Sequence, residues 1–361
     1  MAIVAEPDFK DGFDANSAAQ VARKWNVGGP SIVATPGRAG ITDSQMVGEF
    51  ASMRRTVTAT NGGIMQFWFR TPNVLPASTT VICAFYNSLS GGRGTALQYT
   101  TGGVLQLING QTLGIIASAT DPLQSLVPAT GYYIEFGELA HLTNGSADVV
   151  VNGAHITGLF GLTGKATSNA SNQFDTVELV STGTGSRFDD FYYRTAPSGY
   201  NNATDFLGDL VIETVYPDAI SGDAGHNQGT PYGGATNGFD GIDEHMLQND
   251  ETDGVDLTAI GNKHYTSFGT LQGPPGSVIS SIKSVQLNIM ARRVTAGFSN
   301  TLQPGTVKGG AYGTDYLGTA QALADTFTDI RKAWAVRPDG SGSWIPADIA
   351  TGWEFGSQRN A

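Results

Sequence analysis

Gly131-Tyr132-Tyr133-Ile134-Glu135-Phe136 and, after a short interval, Ser146-Ala147-Asp148-Val149-Val150-Val151-Asn152-Gly153 decide the fold. Tyr132, Ile134 and Phe136 alternate with Tyr133 and Glu135, and a period of two is that of a half-buried antiparallel strand. Asn-Gly readily supplies the two positive φ values of a tight type I′ turn, so Asn152-Gly153 after a valine run predicts a β-hairpin. Asn109-Gly110, between Val104-Leu105-Gln106-Leu107-Ile108 and residues 111–117, predicts a second one. Asn61-Gly62 and Asn144-Gly145 mark where further strands begin.

The same period extends outward from this pair. Met65, Phe67 and Phe69 alternate with Gln66 and Arg70, with Trp68 interrupting the polar face. Further strands are expected at 81–86, 174–180 and 188–193, and one short helix at 17–24. Many short strands with no long 3.6-period segment between them describe an all-β, mostly antiparallel chain, a sandwich or jelly roll, and argue against a parallel α/β sheet.

Ala196-Pro197-Ser198-Gly199-Tyr200-Asn201-Asn202 is a turn-rich break. The expected organisation is therefore a jelly roll at 1–196, a linker at 197–204 and a second β-rich, sandwich-like module at 205–361. The second module should hold strands at 209–215 and 282–291, the latter with Lys283, Val285, Leu287, Ile289 and Ala291 on one face. Its Gly-, Asn- and Asp-rich stretch at 221–261 reads as a long loop, functional or ordered by a neighbouring chain. A helix is expected at 319–335, followed by segments bearing Trp344 and Trp353.

Composition narrows the function classes. The 48 glycines among 361 residues are about 13% of the chain against a usual 7%, as short strands joined by turns require. A net charge of −12 with only 20 Lys and Arg argues against a surface that tracks nucleic-acid phosphates. Cys83 is the single cysteine and lies in the apolar run Val81-Ile82-Cys83-Ala84-Phe85, so it reads as a buried structural thiol. The first eleven residues do not read as a secretory signal, and no stretch reaches the roughly 18 apolar residues that would span a bilayer. Synthesis in a cytoplasm without membrane insertion is the expectation.

The two segments quoted first resemble the paired central strands of laminin-G-like, concanavalin-type jelly rolls. Phe174-Asp175-Thr176-Val177-Glu178-Leu179 and Phe188-Asp189-Asp190-Phe191-Tyr192-Tyr193 resemble the closing strands of that family. Asp205-Phe206-Leu207-Gly208-Asp209-Leu210-Val211-Ile212-Glu213-Thr214-Val215-Tyr216-Pro217, following such a jelly roll, is similar to tailed-phage virion proteins. So are the later Asp243-Glu244 pair, Val255-Asp256-Leu257 and the strand at 281–291. The resemblance implies a structural or adhesive particle component, tail- or fibre-associated, with other virion proteins and a host-surface glycan as partners. A capsid-surface decoration protein and a glycan-cleaving enzyme are the alternatives.

No catalytic, cofactor-binding or metal-ligating residue is assigned from the sequence, and no cofactor is expected. Retaining glycosidases need two carboxyl groups about 5 to 5.5 Å apart. Glu251-Thr252-Asp253-Gly254-Val255-Asp256 is the nearest approach, but it carries Gly254 where a strand residue is wanted. Asn249, Glu251, Asp253 and Gly254 loosely follow a calcium loop whose closing acid is replaced by Ile260. Asp189 and Asp190, adjacent in a strand, should leave on opposite faces, one capping a turn or pairing with Arg187 or Arg194. His141, His155, His226, His245 and His264 lack zinc-site spacing, and Gly183-Thr184-Gly185 is a lone turn fragment. Trp25, Trp68, Tyr133 and Tyr192 are candidate sugar-contacting rings, though residues of this kind more often belong to a core or a sheet face, and none is assigned to a site. Trp334, Trp344 and Trp353, if exposed, would suit a homo-oligomeric interface, a trimer by analogy with phage fibres; otherwise they fill the second module's own core.

Overall fold

A computed structural model of the chain describes residues 9–11, 13, 25–27, 31–33, 46–48, 52–88, 91–167, 172–196, 199, 206–208, 211–212, 215, 217–221, 224–233, 254–271, 279, 281–293, 300–308 and 314–360. The chain divides into two compact units, Ala2–Ile212 and Glu213–Ala361. The division falls after Ile212, and Gly208 and Ile212 hydrogen-bond to the first unit's sheet. The expected linker at 197–204 lies, apart from Gly199, outside the described residues, as does the expected helix at 17–24.

The first unit is a jelly-roll sandwich of two antiparallel sheets. Its strands begin with β1 (Phe9–Asp11), β2 (Asn26–Val27), β3 (Ser31–Val33), β4 (Met46–Gly48), β5 (Met53–Thr60), β6 (Gly62–Arg70), β7 (Thr80–Asn87) and β8 (Gly92–Tyr99). They continue with β9 (Leu105–Asn109), β10 (Ile115–Ser118), β11 (Gly131–Leu139), β12 (Gly145–Val151), β13 (Ala154–His155), β14 (Leu162–Lys165), β15 (Phe174–Leu179) and β16 (Arg187–Thr195). One sheet runs β13-β12-β11-β6-β16-β4-β3, with β14 on β12 and β1 on β16; the other runs β10-β9-β8-β7-β15-β5-β2. Between them lies an aromatic core in which the Phe85 ring is tilted against those of Phe136 and Phe174, with centroids 5.0 Å and 4.4 Å away. Cys83 sits in this core, where burial raises its thiol pKa.

The turns differ in how they use Asn-Gly. Asn152 and Gly153 adopt φ of 50° and 76°, and Val151 pairs directly with Ala154, which is the two-residue turn the dipeptide predicts. At Asn109-Gly110 the hairpin forms, but through the loop 110–114: Ile108 pairs with Ile115, and Leu113 takes the positive φ of 58°. Asn109 shapes that loop with its side chain, accepting from Thr112 N at 3.1 Å. Gly110 is required instead because a Cβ there would lie 2.2 Å from Arg93 Cβ.

The second unit is also antiparallel and all-β. Its strands are β17 (Pro217–Ile220), β18 (Thr230–Tyr232), β19 (Gly254–Asp256), β20 (Lys263–Phe268), β21 (Val285–Ala291), β22 (Thr301–Lys308), β23 (Asp315–Leu317), β24 (Gln321–Ala322), β25 (Thr328–Trp334) and β26 (Trp353–Arg359). A sheet in the order β17-β20-β26-β22-β23, with β24 on β22, accompanies the pairs β21–β25 and β18–β19. Leu287, Trp334, Trp344, Ile349, Trp353 and Phe355 form its core.

Four expectations are corrected here. The helix expected at 319–335 is β24 and β25: locally the Ala- and Leu-containing stretch suits a helix, but β25 pairs with β21 along all seven residues, Val285 with Trp334 through Ala291 with Thr328, and this pairing overrides propensity. The strand expected at 209–215 is absent at its described members Val211, Ile212 and Val215, because Ile212 N donates to a side chain instead of a strand partner. The loop expected at 221–261 contains a 3-10 turn at Ala224–His226 and the pair β18–β19, while 234–253 lie outside the described residues. Trp334, Trp344 and Trp353 are at most 5% exposed and fill the unit's own core, so they offer no surface for an oligomer.

Candidate functional site

The outward face of the nine-stranded sheet gathers several buried polar side chains of the first unit, while Glu178 with Arg54 and Arg93 forms a separate cluster on the other sheet. Because Met65, Phe67 and Phe69 of β6 and Ile134 and Phe136 of β11 point into the core, alternation sends Gln66, Trp68, Tyr133 and Glu135 outward. Register places Glu135 opposite Gln66 and Gln66 opposite Tyr192, one row across three strands. Tyr133, Trp68 and Asp189 form the adjacent row. Neighbouring strands are about 4.8 Å apart, so the backbones of Glu135 and Tyr192 are roughly 10 Å apart. Tyr133 Oη reaches Gln66 Oε1 at 3.4 Å, and Asp148 Oδ1 accepts from Gly161 N.

This face is buried, contrary to the half-exposed strands that alternation predicts. Gln66 is 0%, Glu135 1% and Asp190 2% exposed. Gly208 and Ile212 lie against it: Gly208 N donates to Glu135 Oε1 at 3.0 Å, and Ile212 N donates to Asp190 Oδ1 at 2.6 Å. Phe206 approaches Phe160, ring centroids 6.4 Å apart, and Phe160 is itself stacked on exposed His155 at 3.6 Å.

A β-bulge supplies one of the two carboxylates. Phe188 and Phe191 both point into the core, a three-residue spacing that simple alternation forbids, and the register shifts between Asp189 and Tyr192. Asp190 takes a left-handed φ of 51°, which Asp tolerates better than most residues. The expectation that Asp189 and Asp190 leave on opposite faces fails for this reason. Both are withdrawn from the core, and Asp189 Oδ1 accepts from Asp190 N at 2.8 Å. The signal was present in the sequence as two acids set between core phenylalanines.

Removing both acceptors should loosen the covering segment. A hydrogen bond to a charged group contributes about 1.5–3 kcal/mol, so Glu135→Ala with Asp190→Ala should make 206–212 a site of limited proteolysis. The unaltered protein should be spared there under the same digestion.

The other sequence candidates are dispersed. Trp25 is a core residue, edge-on to Phe191 at 4.8 Å, and Tyr133 and Tyr192 are buried. Trp68 alone of the four rings is partly exposed; it lies over Gly131, where a Cβ would meet Trp68 Cζ2 at 2.5 Å. Next to it, Arg70 Nη1 donates to Gly185 O at 2.8 Å and to Asn73 Oδ1 at 3.3 Å. Asn249, Glu251, Thr252 and Asp253 lie outside the described residues, while Gly254 and Asp256 belong to β19 and Ile260 is exposed. His141 Nδ1 accepts from Thr143 N and Asn144 N, His226 pairs with Asp315, His264 is buried beside Asn227, and His245 is outside the described residues. Among the described residues no three His, Cys, Asp or Glu side chains are placed to hold a metal ion, and no helix is long and apolar enough to cross a membrane.

None of the known protein families matches the sequence, nor does any curated protein. Among solved structures the chain is similar to Trypanosoma rangeli sialidase in complex with the inhibitor DANA, with a TM-score of 0.34 and 10% identity over 45% of this chain and 27% of that one. It is similar to the cellulose-induced protein Cip1, TM-score 0.37 and 14% identity over 54% of this chain and 100% of the other. A third is the carbohydrate-binding module CBM66 from Bacillus subtilis, TM-score 0.33 and 7% identity over 48% and 96%. The chain spans about a quarter of the sialidase's length. Likenesses of this size carry no argument about what the chain binds or does.

Proposed function

We propose that the chain is a non-enzymatic, structural and adhesive component of a tailed-phage particle that contacts host-surface glycan. The observation that supports the non-enzymatic part is the engagement of two carboxylates of the polar face, Glu135 and Asp190, by the backbone amides of Gly208 and Ile212, while Asp148 accepts from Gly161 N and Asp189 from Asp190 N. Carboxylates held this way, beneath the segment that supplies their donors, are not available as an acid–base pair for a glycosidic bond. The particle assignment is supported by the resemblance of 205–217 and the segments after it to virion proteins. Immunolabelling of intact particles tests it and separates tail from capsid surface; particles that never carry the label would refute it.

The surface best suited to glycan is the strip of Trp68, Arg70 and Asn73, where a half-buried ring lies beside a guanidinium and an amide. Trp68→Ala should weaken binding to host polysaccharide by roughly two- to tenfold, the loss of about 0.5–1.5 kcal/mol of ring contact. Oligosaccharide release from β-glucans, capsules or lipopolysaccharides would instead establish the enzyme alternative.

Self-association, expected as a trimer, belongs to the same proposal, but its support is no longer the tryptophans. It is the edge strand β10, which among the described residues pairs with β9 alone and whose first residue Ile115 and neighbouring Leu113 are 60% and 68% exposed. Light scattering over a dilution series should give a multimer that Ile115→Lys converts to monomer. A monomer at every concentration removes this part.

A further inference from the structure

Lys263, Tyr265 and Asp315 share one face of the second unit's six-stranded sheet, with His226 beside them. Tyr265 of β20 is in register with Gly356 of β26, then Gly305 of β22, then Leu317 of β23. Gly305 clears the sheet surface for the tyrosine ring, since a Cβ there would stand 2.6 Å from Tyr265 Oη, while a Cβ on Gly356 would meet the backbone of β20 at His264 O, 1.9 Å away. Across this cleared surface Lys263 Nζ of β20 contacts Asp315 Oδ2 of β23, although β26 and β22 intervene between those strands. His226 Nε2, from the turn Ala224–His226, lies 3.1 Å from the other oxygen, Asp315 Oδ1. The His226 side chain is 5% and that of Asp315 16% exposed, while Tyr265 is 0% exposed. The Tyr265 hydroxyl has no hydrogen-bond partner among the described residues, and burial first, then the charge of Asp315, keeps it protonated far above its ordinary range.

We propose that Lys263 and Asp315 are a self-processing pair that condenses to an intramolecular amide, cross-linking β20 to β23. An amine, a carboxyl group and an imidazole nitrogen 3.1 Å from its second oxygen, beside a buried aromatic ring and with the Lys263 side chain only 23% exposed, are the parts this reaction needs. Within the pair the ammonium proton passes to Asp315 Oδ2, leaving an uncharged amine and a carboxylic acid. The amine lone pair attacks Cγ and the Nζ–Cγ bond forms, while His226 Nε2–H stabilises negative charge on Oδ1. The Cγ–Oδ2 bond then breaks, and that oxygen leaves as water with a second proton from the nitrogen. The charges of the pair cancel and no oxidant or co-reactant is required. The cross-link ties positions 263 and 315 and thereby restricts the unfolded chain between them, as a covalent staple does. The proposal is independent of the particle assignment and of the polar face in the first unit.

Intact-mass measurement of the denatured full chain tests it. The wild type should be lighter by one water than expected from comparison with Lys263→Arg, a variant that keeps the cation against Asp315 but cannot form this amide. Tryptic mapping should yield a branched peptide joining the two positions, with no cleavage after Lys263. His226→Gln should slow the mass change on the order of a hundredfold, the usual effect of deleting one oxyanion donor; an unchanged rate would remove His226 from the mechanism. Wild-type protein that stays at full mass after prolonged incubation in the folded state, giving free Lys263 and Asp315 peptides, overturns the proposal.

Discussion

Trp344→Ala should remove about 3–5 kcal/mol from the second unit, the range for deleting a large aromatic from a core. Trp344 is 1% exposed, its Nε1–H donates to Trp334 O at 3.0 Å, and its ring lies edge-on to Trp353 at 5.4 Å and near Phe355 at 5.9 Å. A single unit of this size is stabilised by about 5–15 kcal/mol, so the variant should bring its unfolding close to working temperature. Because the core clusters of the two units share no residue, calorimetry should show one transition falling and the other holding. The measurement also decides between the two sequence-level roles for these tryptophans. A variant that melts like the wild type but changes its mass in light scattering would place Trp344 at an interface instead.

Glu138→Gln should change the pH dependence of the first unit's stability. Alternation places Glu138 on the core-facing side of β11, opposite Ala147 and Gly63. It is 1% exposed, its Oε2 has no hydrogen-bond partner among the described residues, and burial raises its pKa well above 4.5, opposed by a hydrogen bond from Thr95. The folded chain therefore holds this proton to higher pH than the unfolded chain does. Its stabilising effect is complete below about pH 4.5 and is lost as pH rises toward the raised folded value. Gln is the uncharged isostere, so wild type and variant should unfold at similar urea concentrations in acid. Above pH 4.5 the variant should become the more stable by an increasing margin, reaching about 1–3 kcal/mol, the cost of leaving a buried polar group unsatisfied. Parallel pH profiles for the two proteins would show that Glu138 is solvated or fully paired.

Much of the first unit was legible in the sequence because its signals are local. The alternation in 65–69 and 132–136 and the Asn152-Gly153 turn each depend on a few consecutive residues, and β6, β11 and the β12–β13 turn lie where those residues predict. The candidate site was not legible in the same way. Gln66 and Glu135 look like the solvent face of a strand, and nothing within either strand says that Gly208 and Ile212 return to this face. The bulge at Asp190 left a trace, the two acids between Phe188 and Phe191, but strict alternation was the wrong rule to apply to it. In the second unit local propensity favoured a helix at 319–335, and only the partner strand β21, far away in sequence, makes β25 a strand.

Backbone periodicity and turn chemistry are short-range properties, so the sequence by itself determined an antiparallel all-β chain, the positions of its central strands and a buried Cys83. Burial on the second face of a sheet is long-range, because it depends on which distant segment packs there. Only the tertiary structure could therefore decide that Glu135 and Asp190 are covered, that Trp334, Trp344 and Trp353 fill a core, and that Lys263 meets Asp315 across two intervening strands. Such a meeting arises from sheet register and from the absence of a side chain at Gly305, neither of which has a pattern within any single stretch of the chain.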